Sequence, residues 1–180
     1  MALKDHITRN KKFLKDNFVL FIGIFILNVL GYVFHFYVGR KLGPGDYGTF
    51  GSLLSIIYII AMPLTAIQTS ITKFVSTFKA ENEDGKIAYL LTQSLRKMAL
   101  FGVIIFIAFL ALSPFLADFL RIDSLIPFFV LAFFLLFSLF IPIVRGVIQG
   151  LQQFKLLGIS YITEGVFKLG TGVILVSLGF

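Results

Sequence analysis

Cysteine and tryptophan are absent from this 180-residue chain, and only 14% of its residues are charged. Without cysteine the chain has no disulfide framework, no thiolate metal site and no catalytic thiol. A soluble domain is typically about 25% charged and about 45–50% apolar, whereas this chain is 58% hydrophobic with a mean hydropathy of +0.96. A soluble protein of this size cannot bury so much apolar surface in one core. The composition excludes an ordinary soluble enzyme, a disordered tail and a nucleic-acid-binding domain, and it indicates a chain solvated by lipid.

Acidic residues are scarce as well, because the chain has nine and only Glu164 lies deep within an apolar run. A membrane enzyme that acts on phospholipids or nucleotide sugars usually needs several carboxylates to hold a metal or to act as a base. The acidic cluster of Glu81, Glu83 and Asp84 lies in a polar loop. The chain has neither a His-Glu-x-x-His run nor a Walker loop. We therefore expect no enzymatic activity, no metal site and no cofactor.

Long uncharged runs are the main feature that is present. A membrane-spanning helix needs about 20 predominantly apolar residues. Four runs reach this length without a charge, and a fifth is interrupted by Glu164 and Lys168. Because the runs are long and do not alternate apolar with polar residues, they predict helices rather than strands. The sequence predicts an all-α, multi-pass membrane bundle with five transmembrane helices at residues 18–38, 47–72, 98–117, 124–144 and 156–180.

The basic residues between these runs predict the orientation in the membrane. Cytoplasmic connections carry an excess of Lys and Arg. The N-terminal segment and the connections after the second and fourth spans hold twelve of them, whereas the opposite side holds three, Arg40, Lys41 and Arg121. The net charge of +7 therefore arises from membrane flanks. We expect a cell-membrane protein with a cytoplasmic N-terminus and with residue 180 near the outer face.

Polar residues in the first two spans recur at helical spacing. In the second span and its extension they fall within a stripe about 100° wide, and the first span carries a shorter stripe. Two interpretations remain open for each: hydrogen bonds between helices, worth about 0.6 kcal/mol each, or the lining of a water-filled cavity. The stripe residues are Ser55, Tyr58, Thr65, Thr69, Thr72, Lys73 and Ser76 in the second span, and Asn28, Gly31, Tyr32 and His35 in the first.

The fifth span combines a glycine face with two charges. Close approach of another helix is predicted by glycines at intervals of seven, Gly158, Gly165, Gly172 and Gly179. Glu164 and Lys168 are four residues apart and can pair on the helix surface. A lone charge near the bilayer centre costs about 2.5–3.5 kcal/mol on insertion scales. The two charges indicate either an ion pair that fixes the helix register or a hydrated pathway that holds a charged substrate or a coupling ion.

Two further residues have open alternatives. His35, near the outer end of the first span, is either an interfacial side chain or a proton-coupling or ligand-binding group. Arg145, at the inner end of the fourth span, either extends to the lipid headgroups or contacts a phosphate in a cavity. The complete set of candidate substrate-binding or cavity residues is Glu164, Lys168, Arg145, Asn28, His35, Thr65, Thr69 and Lys73.

Two motifs lie at helix ends. Residues 39–50, Gly-Arg-Lys-Leu-Gly-Pro-Gly-Asp-Tyr-Gly-Thr-Phe, join the first two spans, and residues 145–154, Arg-Gly-Val-Ile-Gln-Gly-Leu-Gln-Gln-Phe, precede the fifth. The first motif resembles the L-G-P-x-x-Y-G-x-F run of the oligosaccharide flippases, the polysaccharide biosynthesis transporters of the multidrug/oligosaccharidyl-lipid/polysaccharide exporter superfamily. The second is similar to a glycine-glutamine-glycine stretch of the same family. The resemblance covers nearly the whole chain.

This resemblance implies a two-lobed transporter whose first helices line a central cavity that opens alternately to the two faces. The cargo of such proteins is an oligosaccharide on a polyprenyl phosphate or diphosphate, bound through basic residues, for which Lys168 and Arg145 are the candidates. The implied partners are membrane lipid, the anionic lipid-linked oligosaccharide, a coupling cation in some members, and glycan-assembly proteins, but not nucleic acid. Five helices are about one short of a lobe, which favours an N-terminal portion of a longer protein.

Two other functions remain open at this point. A cation-coupled exporter of drugs or other small molecules, with the related fold, would use Glu164 as its coupling carboxylate. A non-transporting membrane scaffold would need the glycine face for assembly but would tolerate neutral residues at Glu164 and Lys168.

Overall fold

The computed structural model describes the backbone of residues 2–178 and the side chains of residues 14–178. The described backbone forms helices joined by short turns and contains no strand. The helices are α1 (Ala2–Ala80), α2 (Asp84–Leu120), α3 (Ile126–Ser138), α4 (Ile141–Gly150) and α5 (Phe154–Ser177). Outside the described residues lie the expected outer end at Phe180, Gly179 of the glycine face, and the side chains of Lys4, Arg9, Lys11 and Lys12.

The predicted membrane location agrees with the lengths and surfaces of these helices. Four helical segments are long and apolar enough to cross a bilayer: Leu14–Ala80, Asp84–Leu120, Ile126–Gly150 and Phe154–Ser177. Large apolar side chains remain on their surfaces, and Phe115 and Phe119 are 68% and 74% exposed. Water would not tolerate so many exposed aromatic side chains, whereas lipid does. The chain is therefore an all-helical, multi-pass membrane protein.

Gly43 interrupts α1, which contains the first two expected spans. Its φ of 75° and ψ of 178° lie in a region that only glycine adopts readily. Pro44 follows directly, and proline is tolerated in the first turn of a helix because its missing N–H would have no intrahelical partner there. The second helical stretch therefore begins directly after Gly43, without a loop.

The segment Leu14–Ala80 is much longer than one membrane crossing requires. It has 67 residues and would be about 100 Å long if it were straight, which is over three times the thickness of the hydrocarbon layer.

We expect Gly43→Ala to lower the stability of the protein by about 1–3 kcal/mol, because alanine is strained in this backbone conformation. Gly45→Ala is the matched control, since Gly45 has open space around its Cα and a helical backbone. Alanine there should stabilise the helix by about 0.5–1 kcal/mol. Unfolding of both variants by denaturant in detergent measures the difference. Equal midpoints for the two variants would contradict the role given to Gly43.

The fourth expected span is divided into α3 and α4. Residues 139–140 form the turn between them. Pro142, at the start of α4, has no N–H to donate to the carbonyl of Ser138 one turn earlier. The apolar run predicted as the fourth span therefore contains a helix break that its hydropathy does not reveal, and Ile126–Gly150 is still long and apolar enough to cross a membrane.

The chain divides into two compact units, and the first contains Met1–Pro44 and Gln152–Phe180. In this unit the first half of α1 packs against α5, and the contacts advance along both helices in the same direction. Gly23 lies against Gly158, the side chains of Leu27 and Leu30 lie against Gly165, and Tyr37 bonds to Ser177 at 2.9 Å. The two helices are therefore parallel. Of the predicted glycine face, Gly158, Gly165 and Gly172 all contact the first half of α1, which confirms its role in close packing.

The second unit is Gly45–Leu151, in which the second half of α1, α2 and the α3–α4 pair pack side by side. One buried cluster joins α2 to α3 through Phe109, Phe128 and Leu135, and α1 residues such as Ile57 pack against it. The other cluster joins the end of α1 to α2 and α4, around the fully buried Val75. Successive segments run antiparallel, as short turns between them require.

Candidate functional site

The first unit brings two of the candidate residues together around Phe34. The Lys168 ammonium lies 5.0 Å from the centroid of the Phe34 ring, within the range of a cation–π interaction. The Phe34 ring in turn meets the His35 imidazole edge-on, with 5.3 Å between centroids. A side chain at Gly172 would collide with Phe34, so this glycine provides the space in which the ring lies. We call Phe34, His35 and Lys168 the lysine cluster.

The lysine cluster lies on a polar part of an otherwise apolar surface. Lys168 and Glu164 are exposed on α5, one helical turn apart, and Glu164 has an interaction partner. Asn28 is exposed on α1, where its side-chain amide donates to the carbonyl of Ile24 at 3.0 Å. At about 1.5 Å per residue, Lys168 lies about 21 Å from the start of α5. This places a cation well inside a helix that is long enough to cross the membrane.

The second unit carries the stripe predicted on the second span. Thr65, Thr69 and Lys73 are exposed along one side of α1. The hydroxyl of Thr65 donates to the carbonyl of Met62 at 2.7 Å, and that of Thr69 donates to the carbonyl of Thr65 at 2.9 Å. Because their own helix accepts these hydrogen bonds, the hydroxyls do not require partners on other helices. This geometry favours an exposed polar face over interhelical bonding for these two residues, and its contact with water stays a prediction.

A polar cluster that the sequence reasoning missed joins α1 to α4. The amide nitrogen of Gln68 donates to the side-chain oxygen of Gln149 at 3.0 Å. Thr72 donates to the carbonyl of Gln68 at 2.8 Å and lies 3.2 Å from the carbonyl of Gly146. One sequence feature could have indicated this cluster: Gln68 is an amide inside an uncharged span, four residues before Thr72. Gln149 was noted only as part of the motif at residues 145–154.

The motif that contains Arg145 makes this close contact possible. A Cβ at Gly146 would lie 2.8 Å from the Cβ of Ile71, and one at Gly150 would lie 2.6 Å from the Cβ of Val75. The glycines thus allow α4 to approach α1 more closely than any side chain would permit. Arg145 is half-buried on α4 and has an interaction partner.

The eight candidate residues are divided equally between the two units. The first unit contains Asn28, His35, Glu164 and Lys168, and the second contains Thr65, Thr69, Lys73 and Arg145. Among the side chains of residues 14–178, no three His, Asp or Glu groups converge as a metal site would need. Each unit by itself carries a cation within a membrane-spanning helix, Lys168 in the first and Lys73 in the second, and a cation in such a place suits the binding of an anion.

Comparison with known proteins adds a family assignment. A family model described as polysaccharide biosynthesis protein matches residues 13–179, which is more than nine-tenths of the chain. Searches of curated proteins and of solved structures gave no significant match.

Proposed function

Because the chain belongs to the polysaccharide biosynthesis protein family, we propose that it moves an anionic lipid-linked oligosaccharide across the membrane by alternating access. The cargo would be a sugar on a polyprenyl phosphate or diphosphate, used to build a surface polysaccharide or another glycan. We propose a transport role rather than a catalytic one. The membrane would be the cell membrane, and glycan-assembly proteins would deliver or receive the cargo.

The parallel packing in the first unit supports five spans in this proposal. Two membrane-crossing helices that run in the same direction must be separated by an odd number of crossings. The second half of α1, α2 and the α3–α4 pair provide three crossings between the first half of α1 and α5. If α1 crossed only once, α5 would have to run the opposite way. The excess of Lys and Arg in the N-terminal segment and in the connections after the second and fourth spans would place the N-terminus in the cytoplasm, and the five spans would form most of one lobe of a two-lobed carrier.

The observation that carries the proposed function is the position of Lys168. An exposed ammonium deep in a membrane helix costs free energy, and the Phe34 ring offsets part of that cost. A ring holds a cation without neutralising its charge, so the ammonium stays able to attract a phosphate. His35, whose imidazole meets the same ring edge-on, is the second nitrogen-bearing side chain of the lysine cluster. A phosphate-bearing lipid is a ligand that this chemistry would recognise.

We expect Lys168→Met to lower transport of a fluorescent lipid-linked oligosaccharide in reconstituted vesicles by roughly tenfold, since a hydrogen bond to a charged group contributes about 1.5–3 kcal/mol. Lys168→Arg should retain most of the activity because the charge remains. Lys155→Met is the matched control, as Lys155 is also exposed on α5 but lies at the end of the helix. Full transport by Lys168→Met would contradict the assignment.

Two variants, Lys168→Met and Glu164→Gln, separate transport of an anionic lipid from cation-coupled export of a small molecule. Glu164 is a carboxylate inside a membrane-spanning helix, the feature that a cation-coupled exporter would use. If Glu164→Gln abolishes gradient-driven efflux of a small organic cation while Lys168→Met leaves it intact, the exporter is the correct function. If neither substitution affects transport of any substrate, the chain acts as a scaffold.

A further inference from the structure

An apolar groove of about 630 Å³ opens on the second unit, within the size range of ligand pockets. Its walls are formed by one side of the second half of α1, one side of α2, and the junction of α3 with α4. Ile59, Pro63, Met98, Phe101 and Leu139 are among the lining residues, and nearly all of the lining surface is apolar. The groove lies beside the turn at residues 139–140, and Leu139 and Ile143, on either side of the start of α4, contribute to its wall.

The groove ends at two polar side chains, Ser94 and Lys97 on α2. The same two residues also line a second groove of about 520 Å³, which contains Lys86, Tyr89 and Gln93. The two grooves therefore adjoin at Ser94 and Lys97. The second groove is also lined largely by apolar side chains, among them Phe74, Phe78 and Leu90. The hydroxyl, amide and ammonium groups are gathered at the junction and next to it, so a polar headgroup would meet them there while an apolar chain lies in the first groove.

The charges at this junction favour an anion. Lys86 lies 2.7 Å from Glu83, and Lys79 lies 3.0 Å from Asp84. The hydrogen bond to Glu83 raises the pKa of the Lys86 ammonium. Lys97, by contrast, has no ion pair within residues 14–178. Its charge is available to a ligand at the point where the apolar groove ends.

We propose that this pair of grooves binds an anionic phospholipid, with one acyl chain in the apolar groove and the headgroup phosphate at Lys97 and Ser94. Basic pockets between membrane helices hold anionic headgroups through the same attraction. A protein helix would fill the apolar groove but would leave the Lys97 charge without a partner, so the observations favour the lipid. The proposal depends on the membrane location of the chain and does not depend on its transport activity.

Native mass spectrometry of the full-length protein, titrated with phosphatidylglycerol, tests the headgroup site. Lys97→Ala should weaken binding roughly fivefold, the effect expected for one basic residue near a lipid headgroup. Arg96→Ala is the matched control, because Arg96 is exposed on the same turn of α2 but lines neither groove. It should change binding less than twofold. Equal losses in the two variants, or equally tight binding of phosphatidylcholine to the wild type, would overturn the proposal.

A second pair of variants tests the chain site. Ile59 is 71% exposed and lines the groove, whereas Ile104 is 54% exposed on α2 outside it. Ile59→Trp should reduce phosphatidylglycerol binding roughly tenfold, as if about two chain methylenes had left the groove. Ile104→Trp should leave it unchanged. Equal binding by these two variants would show that the chain lies elsewhere and would overturn the proposal.

Competition identifies the occupant. Phosphatidylglycerol should remain bound when a polyprenyl phosphate is added at equal concentration. If the polyprenyl phosphate displaces it at one tenth of that concentration, the groove belongs to the transported lipid and the phospholipid assignment is wrong. If the full-length protein binds neither lipid, a protein segment covers the groove and the proposal also fails. Each result is independent of the transport test at Lys168.

Discussion

Gly23→Leu should separate α5 from the first half of α1 and lower the stability of the protein by about 3 kcal/mol, at the upper end of the usual cost of overpacking. A Cβ at Gly23 would lie 2.7 Å from the Cα of Gly158 and 2.8 Å from its carbonyl oxygen. Both are backbone atoms, so no change of side-chain rotamer can relieve the collision. The two helices would have to move apart, and the contacts at Gly165 and Gly172 would be lost with them.

Gly31→Leu is the matched control for this experiment. Gly31 lies in the same half of α1, and no neighbouring atom lies within 4 Å of the position of a Cβ there. We expect Gly31→Leu to be at least as stable as the wild type, because replacing an unhindered glycine inside a helix typically contributes about 0.5–1 kcal/mol. Denaturant titration in detergent measures both variants, and equal losses would show that α1 and α5 do not pack through Gly23.

Chemical cross-linking provides a readout of the same contact that is independent of stability. The chain has no cysteine, so two introduced thiols are the only ones present. Tyr37→Cys and Ser177→Cys, at a pair joined by a 2.9 Å hydrogen bond, should cross-link with a short bifunctional maleimide. Tyr37→Cys with Lys155→Cys should not, because parallel helices keep these ends apart. The opposite pattern would mean that the helices are antiparallel, and the support for five spans would be lost.

Gly150→Leu should have an effect of similar size in the second unit, again about 3 kcal/mol. A Cβ at Gly150 would lie 2.6 Å from the Cβ of Val75 and 2.9 Å from the carbonyl oxygen of Thr72. Val75 is fully buried and cannot turn away. Moving α4 outward would also break the hydrogen bond between Gln68 and Gln149, which leaves two amide groups without partners in an apolar environment.

A compensating substitution makes this second prediction more specific. Val75→Gly combined with Gly150→Ala exchanges the small residue across the interface and should restore part of the stability that Gly150→Ala loses alone. The two substitutions are in contact, so their effects should not add. Gly51→Leu is the control for Gly150→Leu, since Gly51 lies in the same unit, in the second half of α1, but has open space around it. Additive losses in the double variant would contradict the contact between α4 and α1.

Hydropathy alone predicted the helical class and the membrane location, because lipid requires every backbone group to be bonded within a helix. It did not predict that α1 continues past the Gly43-Pro44 motif. That motif is typical of a turn, but here a single non-helical residue is enough, because proline suits the first turn of the next helix. The division of α3 from α4 was also missed. An apolar run contains no sign of a break apart from Pro142.

The candidate site was predicted only as far as helical periodicity reaches. Spacing along one helix placed Thr65 and Thr69 on a common side, and the structure agrees. The glycine face of α5 was predicted from its interval of seven, but its partner helix was not. Periodicity says nothing about which helices meet. The same reason explains why the links from Lys168 to Phe34 and from Gln68 to Gln149 were missed, since each joins helices that are distant in the sequence.

The parallel pair of α1 and α5 also determines when the protein can assemble. Gly23 and Gly158 are 135 residues apart, and chains are synthesised at about 5–20 residues per second, so about 7–27 s separate their emergence from the ribosome. During that interval the first half of α1 is complete, yet its binding surface has no partner and faces lipid or the insertion machinery. Substitutions on this surface would therefore spare early insertion and block late assembly.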